Sequence, residues 1–219
     1  EDRSLTARLY GGDEETRLAQ EIILGMGGYR ALREMGIRPQ SFHMNEGHSA
    51  FLGLDLLREA MEADGLGLDA AIEGVRRRSV FTTHTPVPAG HDRFDPELMD
   101  LYFTGIARSM GLSLDELLGL GREDPEDESE AFTMTVLALK LSERVNGVSR
   151  LHGAVSREMW QPLWPEREVE AVPIDHITNG VHLPSWVEPS IADLYGTPPA
   201  LLGAGDARVS PDPASLWAR

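Results

Sequence analysis

The sequence has no cysteine, one lysine, few aromatic residues and a shortage of positive charge, and each scarcity excludes something. Without cysteine there are no disulfides and no thiolate metal centre, and a cytoplasmic setting is expected. Twenty basic residues face 36 acidic ones, a net charge of −16, and such a surface repels nucleic acid. A neutral ligand suits it better than an anion, which would need local basic groups to overcome the general field. No apolar run approaches the roughly 18 residues of a membrane span, and no secretory pattern opens the chain. With 219 residues, 41% of them hydrophobic, the chain can still bury a sizeable core.

Strand-like and helical patterns alternate along the chain. Leu18, Ile22, Met26 and Tyr29 predict one amphipathic helix over 14–35, capped by Asp13. A strand over 40–44 follows, and Gly47 then opens a helix whose buried stripe is Ala50, Phe51, Leu54, Leu57 and Met61. A helix over 67–78 leads to a strand at 79–83. Asp95-Pro96-Glu97 starts another helix, and Ser113 to Glu116 fits a capping box. Residues 121–130 carry six carboxylates in ten positions, which reads as a solvated loop rather than a metal site. Helix is expected again over 131–143, strand at 145–149, helix at 150–160 and strand at about 170–177. Alternation of this kind implies an α/β fold with a parallel, Rossmann-like sheet.

The chemistry is concentrated at strand ends. Ser79 to Thr83 is a β-branched, apolar run that delivers His84 to its carboxyl end, followed by the constrained Pro86-Val87-Pro88-Ala89-Gly90 loop. Open α/β sheets bind ligands at such ends. His84 is either a ligand-binding ring or a satisfied structural histidine; a neutral imidazole can donate through one nitrogen and accept through the other, as a sugar requires. Asn45-Glu46-Gly47-His48 repeats the arrangement. Glu46 and His48 either serve the helix start as dipole partner and cap, or line a cleft beside His84. The histidines and Glu46 do not have the HExxH spacing, and no metal site is assigned. Asn179-Gly180 is a turn signal. GxGxxG, Walker and GxSxG motifs are all absent from the sequence.

Five blocks in register resemble the α-glucan phosphorylases. They are Leu9-Tyr10 with Glu15 to Glu21, Asn45 to His48, Thr83 to Pro88, Asn146 to His152, and Thr178 to Val181. The Pro88 to Phe94 loop is most similar to the compact bacterial branch. The resemblance implies the later half of the amino-terminal Rossmann-like domain of a GT-B glycosyltransferase over 1–182. It also implies a connecting segment over 183–219 leading toward a carboxyl-terminal domain, so the chain is expected to be an internal fragment.

The implied reaction moves a terminal glucosyl unit of an α-1,4-glucan to orthophosphate, giving glucose 1-phosphate. The family's cofactor is pyridoxal phosphate, whose phosphate shuttles the proton; its lysine and the phosphate-binding cluster are expected in the absent domain. Lys140, read as mid-helix, is assigned no Schiff base, and the fragment alone is expected to be inactive. By position, His84 and Asn179 would grip the glucosyl 6-hydroxyl, with the His84 carbonyl facing the anomeric carbon. Glu46 and His48 would line the pocket below the sugar and Val148 would form an apolar wall. Gly11-Gly12-Asp13 is shorter than the active-site loop of larger family members. Charge and hydropathy point to no nucleic-acid or membrane partner, and a homo-oligomeric parent enzyme is left open. A glycogen-synthase-type nucleotide-sugar transferase and a non-catalytic glucan-binding module are the alternatives; only 6% of residues are aromatic, few for the sugar platforms of the latter.

Overall fold

A computed structural model describes residues 2–7, 12–182, 186–188 and 191. The Leu9-Tyr10 match, Gly11 and most of the expected connecting segment lie outside the described residues. The chain divides into two units, 1–178 and 179–219.

The first unit is an α/β layer structure. Its strands are β1 (Phe42–Asn45), β2 (Ser79–Thr83), β3 (Arg93–Phe94), β4 (Phe132–Thr133), β5 (Arg144–Gly147) and β6 (Asp175–His176). The helices are α1 (Glu14–Ile22), α2 (Gly28–Glu34), α3 (Leu52–Asp64), α4 (Leu68–Arg76), α5 (Pro96–Ser109), α6 (Leu114–Leu118), α7 (Met134–Lys140) and α8 (Arg150–Trp160). Strands β1-β2-β5-β6, in that order, form one wholly parallel sheet. Helices α3 and α4 make the β1 to β2 crossover, and α8 makes the β5 to β6 crossover. No described helix is long and apolar enough to cross a membrane.

Local chemistry accounts for most boundaries. Asp13, Asp95 and Ser113 accept hydrogen bonds from the free N–H groups of α1, α5 and α6, and Ser113 with Glu116 completes the capping box. The expected helix over 14–35 is helical to Glu34 but passes through a π-helical stretch, Ile23–Gly27. There a Cβ on Gly25 would meet the backbone N of Leu52 at 2.8 Å, so only glycine allows these two backbones to approach. The acidic stretch is exposed over 124–129, yet it is anchored: Arg122 is buried and pairs with Asp115, and Glu130 accepts from the amides of Glu123 and Asp124.

Three expectations need correction. The helix over 131–143 spans only Met134–Lys140, because Phe132 and Thr133 pair antiparallel with β3. Every residue from Met134 to Leu139 is buried, so this helix is core on all sides rather than amphipathic. Lys140 is accordingly the last residue of α7, not a mid-helix position. The strand over 170–177 shrinks to Asp175–His176; a 3-10 turn occupies Val169–Ala171, and Pro173 has no N–H for a ladder.

Candidate active site

Parallel register lines up the carboxyl ends of the strands. Asn45 pairs with Thr82, Thr83 with Gly147, and Gly147 with His176. The residues that leave β1, β2 and β5, namely Glu46, His84 and Val148, therefore emerge from one edge of the sheet.

Asn45 and His84 meet there. The His84 Nε2 lies 2.6 Å from Asn45 Oδ1, and an amide oxygen only accepts, so Nε2 carries the proton. The exposed ring then presents Nδ1 as an acceptor. This differs from the free donor-and-acceptor ring expected from sequence, because a neighbour on β1 already uses one nitrogen. The alternation of β1, with Phe42 and Met44 buried and His43 and Asn45 outward, brings Asn45 to this position. His43 shares that face but bonds Thr82 Oγ1 at 2.8 Å, and Thr82 in turn donates to Asn146 at 3.0 Å.

Glu46 is buried between the two strand ends. Its Oε2 accepts from the His84 amide at 2.7 Å and from Thr85 Oγ1 at 2.9 Å, while Oε1 accepts from the Gly47 amide at 3.1 Å. Its own N–H continues the ladder to the Thr82 carbonyl at 2.8 Å. The expected helix-start role and the expected proximity to His84 thus coexist in one side chain.

His48 turns to a different group of residues. Its Nδ1 is 3.1 Å from Asp92 Oδ2, 3.7 Å from Glu21 Oε1 and 2.8 Å from Arg17 Nη2. Arg17 also bonds Asp92 through Nε and Nη2, and its Nε lies 3.1 Å from Glu21. Glu21, His48 and Asp92 are close enough to share an ion, but the Arg17 guanidinium already supplies the positive charge among them. Sequence reading missed this cluster. Its signal was Glu21, a carboxylate placed one turn from Leu18 on the buried stripe of α1.

The ionisation of the cluster follows from burial and pairing. Hydrogen bonds to Asp92 and Glu21 raise His48 to about 9, against the opposing charge of Arg17. Burial raises Glu21 to about 7. Burial would raise Asp92 too, but hydrogen bonds from His48 and Arg17 outweigh it and hold the carboxyl well below the usual range. His48 then contributes stability fully below pH 6.5, which is lost as pH rises through 9. Glu21 contributes below pH 4.5 and loses its share as pH rises through 7. Thermal stability should therefore decline between pH 6.5 and 9, by on the order of 1–3 kcal/mol from His48. Replacing His48 with Gln should flatten that decline in a series of melting curves; an unchanged slope would refute the assignment.

Val148 is half-buried, and its amide donates to His152 Nδ1 at 3.3 Å at the start of α8. Gly147 before it tolerates no Cβ, which would lie 2.8 Å from the backbone N of Gly153. Asn179 belongs to the second unit, and its side chain is exposed. Lys140 donates to the carbonyls of Gly119 at 2.8 Å and Arg122 at 2.6 Å, and burial lowers it to about 8. Its ammonium braces the start of the acidic loop.

No protein-family model matches the chain. Whole-sequence comparison is more informative. Glycogen phosphorylase of Mycobacterium tuberculosis is 44% identical over 235 residues, covering 98% of this chain and 26% of that protein. Maltodextrin phosphorylase of Thermococcus litoralis is 42% identical, covering 89% of this chain and 22% of its own length. Glycogen phosphorylase of Aquifex aeolicus is 38% identical, with 89% and 27% covered. The chain is homologous to one segment of the α-glucan phosphorylases. It spans about a quarter of the length of these curated relatives. The phosphorylase segment includes both strand ends that carry Asn45, Glu46 and His84.

Proposed function

We propose that this chain forms one wall of the glucosyl site of an α-glucan phosphorylase, within the amino-terminal Rossmann-like domain of a GT-B enzyme acting in the cytoplasm. The whole enzyme breaks the terminal α-1,4 bond of a glucan and joins the anomeric carbon to an oxygen of orthophosphate. The departing 4-oxygen takes the proton, and glucose 1-phosphate leaves. The observation that carries this reading is the meeting of Asn45, Glu46 and His84 at one sheet edge, in a segment that aligns with named glycogen and maltodextrin phosphorylases.

Each residue then has a physical task. His84 accepts a glucosyl hydroxyl at Nδ1, while Asn45 fixes the ring by holding Nε2. By its position in the family's motif, Asn179 is assigned to a glucosyl hydroxyl. The His84 carbonyl dipole is assigned to the anomeric carbon, where positive charge develops as the bond breaks; a fixed dipole there lowers the barrier. Val148 supplies an apolar wall. His48 is assigned to the floor through the charged cluster that it shares with Asp92. Pyridoxal phosphate does not fit this chain as its attachment site, since the only lysine spends its ammonium on two backbone carbonyls. Cofactor and orthophosphate are assigned to the rest of the protein, and a homo-oligomer is left to that part as well.

The test is direct. The full-length protein, given maltodextrin and orthophosphate, should release glucose 1-phosphate and release none without phosphate. Glucan extension from a nucleotide sugar, with no phosphorolysis, would instead identify a glycogen-synthase-type transferase.

A further inference from the structure

We propose that Glu46 is a positioning residue: its carboxylate acts on the reaction through the main chain of His84 and does not grip the sugar. The inference rests on the phosphorylase reading for its kinetic readout and on geometry for everything else.

Glu46 has φ 70° and ψ 170° and is the only non-glycine residue with positive φ among the described residues. That region of backbone space is essentially reserved for glycine and is kept only where the surroundings over-determine it. Here the surroundings are explicit. The main chain is pinned by the hydrogen bond from its N–H to Thr82, and the next residue is wedged against α7, where a Cβ on Gly47 would lie 3.2 Å from Met134 Cβ. The side chain of this buried residue, 9% exposed overall, then turns back to receive three donors. Two of those donors, the His84 amide and the Thr85 hydroxyl, belong to the neighbouring strand end.

The consequence for His84 is a two-point restraint, with both points supplied by β1. Asn45 holds the ring, and Glu46 holds the amide. An amide and the carbonyl of its own residue are separated only by φ and ψ, so fixing the N–H limits where the carbonyl can aim. A carboxylate suits this task because a charged acceptor forms shorter and stronger bonds than a neutral one. With both oxygens engaged by protein donors, little of the group is left to receive a sugar hydroxyl.

The experiment uses the full-length protein and the variants Glu46→Gln, Glu46→Gly and Thr85→Val. Gln keeps the shape but presents an NH₂ to one of the donors now bound. Gly adopts the same backbone without strain and removes the clamp, so it keeps the test open if the Gln variant does not fold. Both should lower kcat for phosphorolysis roughly 10- to 100-fold, the scale of a small misplacement of reacting groups. KM for maltodextrin should stay within about threefold. Thr85→Val, which removes one donor and leaves the His84 amide bond, should lose less than either. Hydrogen exchange at the His84 amide should accelerate in the Glu46 variants. A raised KM with kcat retained would mean that Glu46 contacts sugar directly and would overturn the proposal, as would unaltered exchange at His84. If the wild-type protein makes no glucose 1-phosphate, the phosphorylase reading fails, while the exchange measurement still decides whether the clamp exists.

Discussion

Replacing His84 with alanine in the full-length protein is expected to raise the barrier to phosphorolysis by roughly 2–4 kcal/mol, the usual cost of removing one preorganised polar contact to the transition state. Two losses combine in this estimate. The acceptor at Nδ1 disappears, and so does the ring contact with Asn45 that helps to hold residue 84 in place. The second loss reaches the carbonyl, which remains in the alanine variant but loses the ring restraint and keeps the hydrogen bond from its own amide to Glu46. The effect should fall mainly on kcat, because the restraint matters most where charge develops. Folding should be little affected, since His84 is exposed. Steady-state kinetics of the purified variant beside wild type would check this, and an unchanged kcat would remove His84 from the site.

How much of this was legible in the sequence depends on the range of the interactions involved. Strand β2 and the helices capped by Asp13, Asp95 and Ser113 could be read directly, because each is set by neighbours within a few positions. The stripe Ala50, Phe51, Leu54, Leu57 and Met61 could be read from period alone; the first four are fully buried and Met61 is half-buried. The pair β3–β4 could not, because two-residue strands some forty positions apart have no local pattern to betray them. Nor could the total burial of α7, whose apolar spacing looks the same whether one face or every face is covered. At the site, the strand-end position of His84 was readable from the Pro/Gly loop that follows it. The use of its Nε2 by Asn45, and the separation of His48 from Glu46 into another network, depend on how β1 and β2 align. That alignment is tertiary information.

The largest expected change in stability lies beneath the site. Phe51 is fully buried at the N-cap of α3, and its ring centroid lies 4.7 Å from Phe103, 5.9 Å from Phe132 and 6.5 Å from Phe94. These rings come from α5, β4 and β3, so one side chain joins the sheet-covering helix to the small antiparallel pair. Replacing Phe51 with alanine removes the shared partner of three aromatic rings that are themselves almost fully buried and have little room to close over the gap. A Phe to Ala change in such a core costs about 3–5 kcal/mol, made of lost burial and the cavity left behind. Against a typical total of about 5–15 kcal/mol, that is about a fifth or more of the stability of an ordinary domain. Phe51→Leu should cost markedly less, because most of the volume is kept. The loop from His84 to Phe94 ends on this cluster at Phe94. A weakened cluster should therefore also speed amide exchange along residues 88–94 before global unfolding. Urea unfolding of the two variants measures the first effect through the shift in midpoint. A loss below about 1 kcal/mol for Phe51→Ala would mean that the four rings are not a mutually dependent unit, and that the His84 loop is anchored elsewhere.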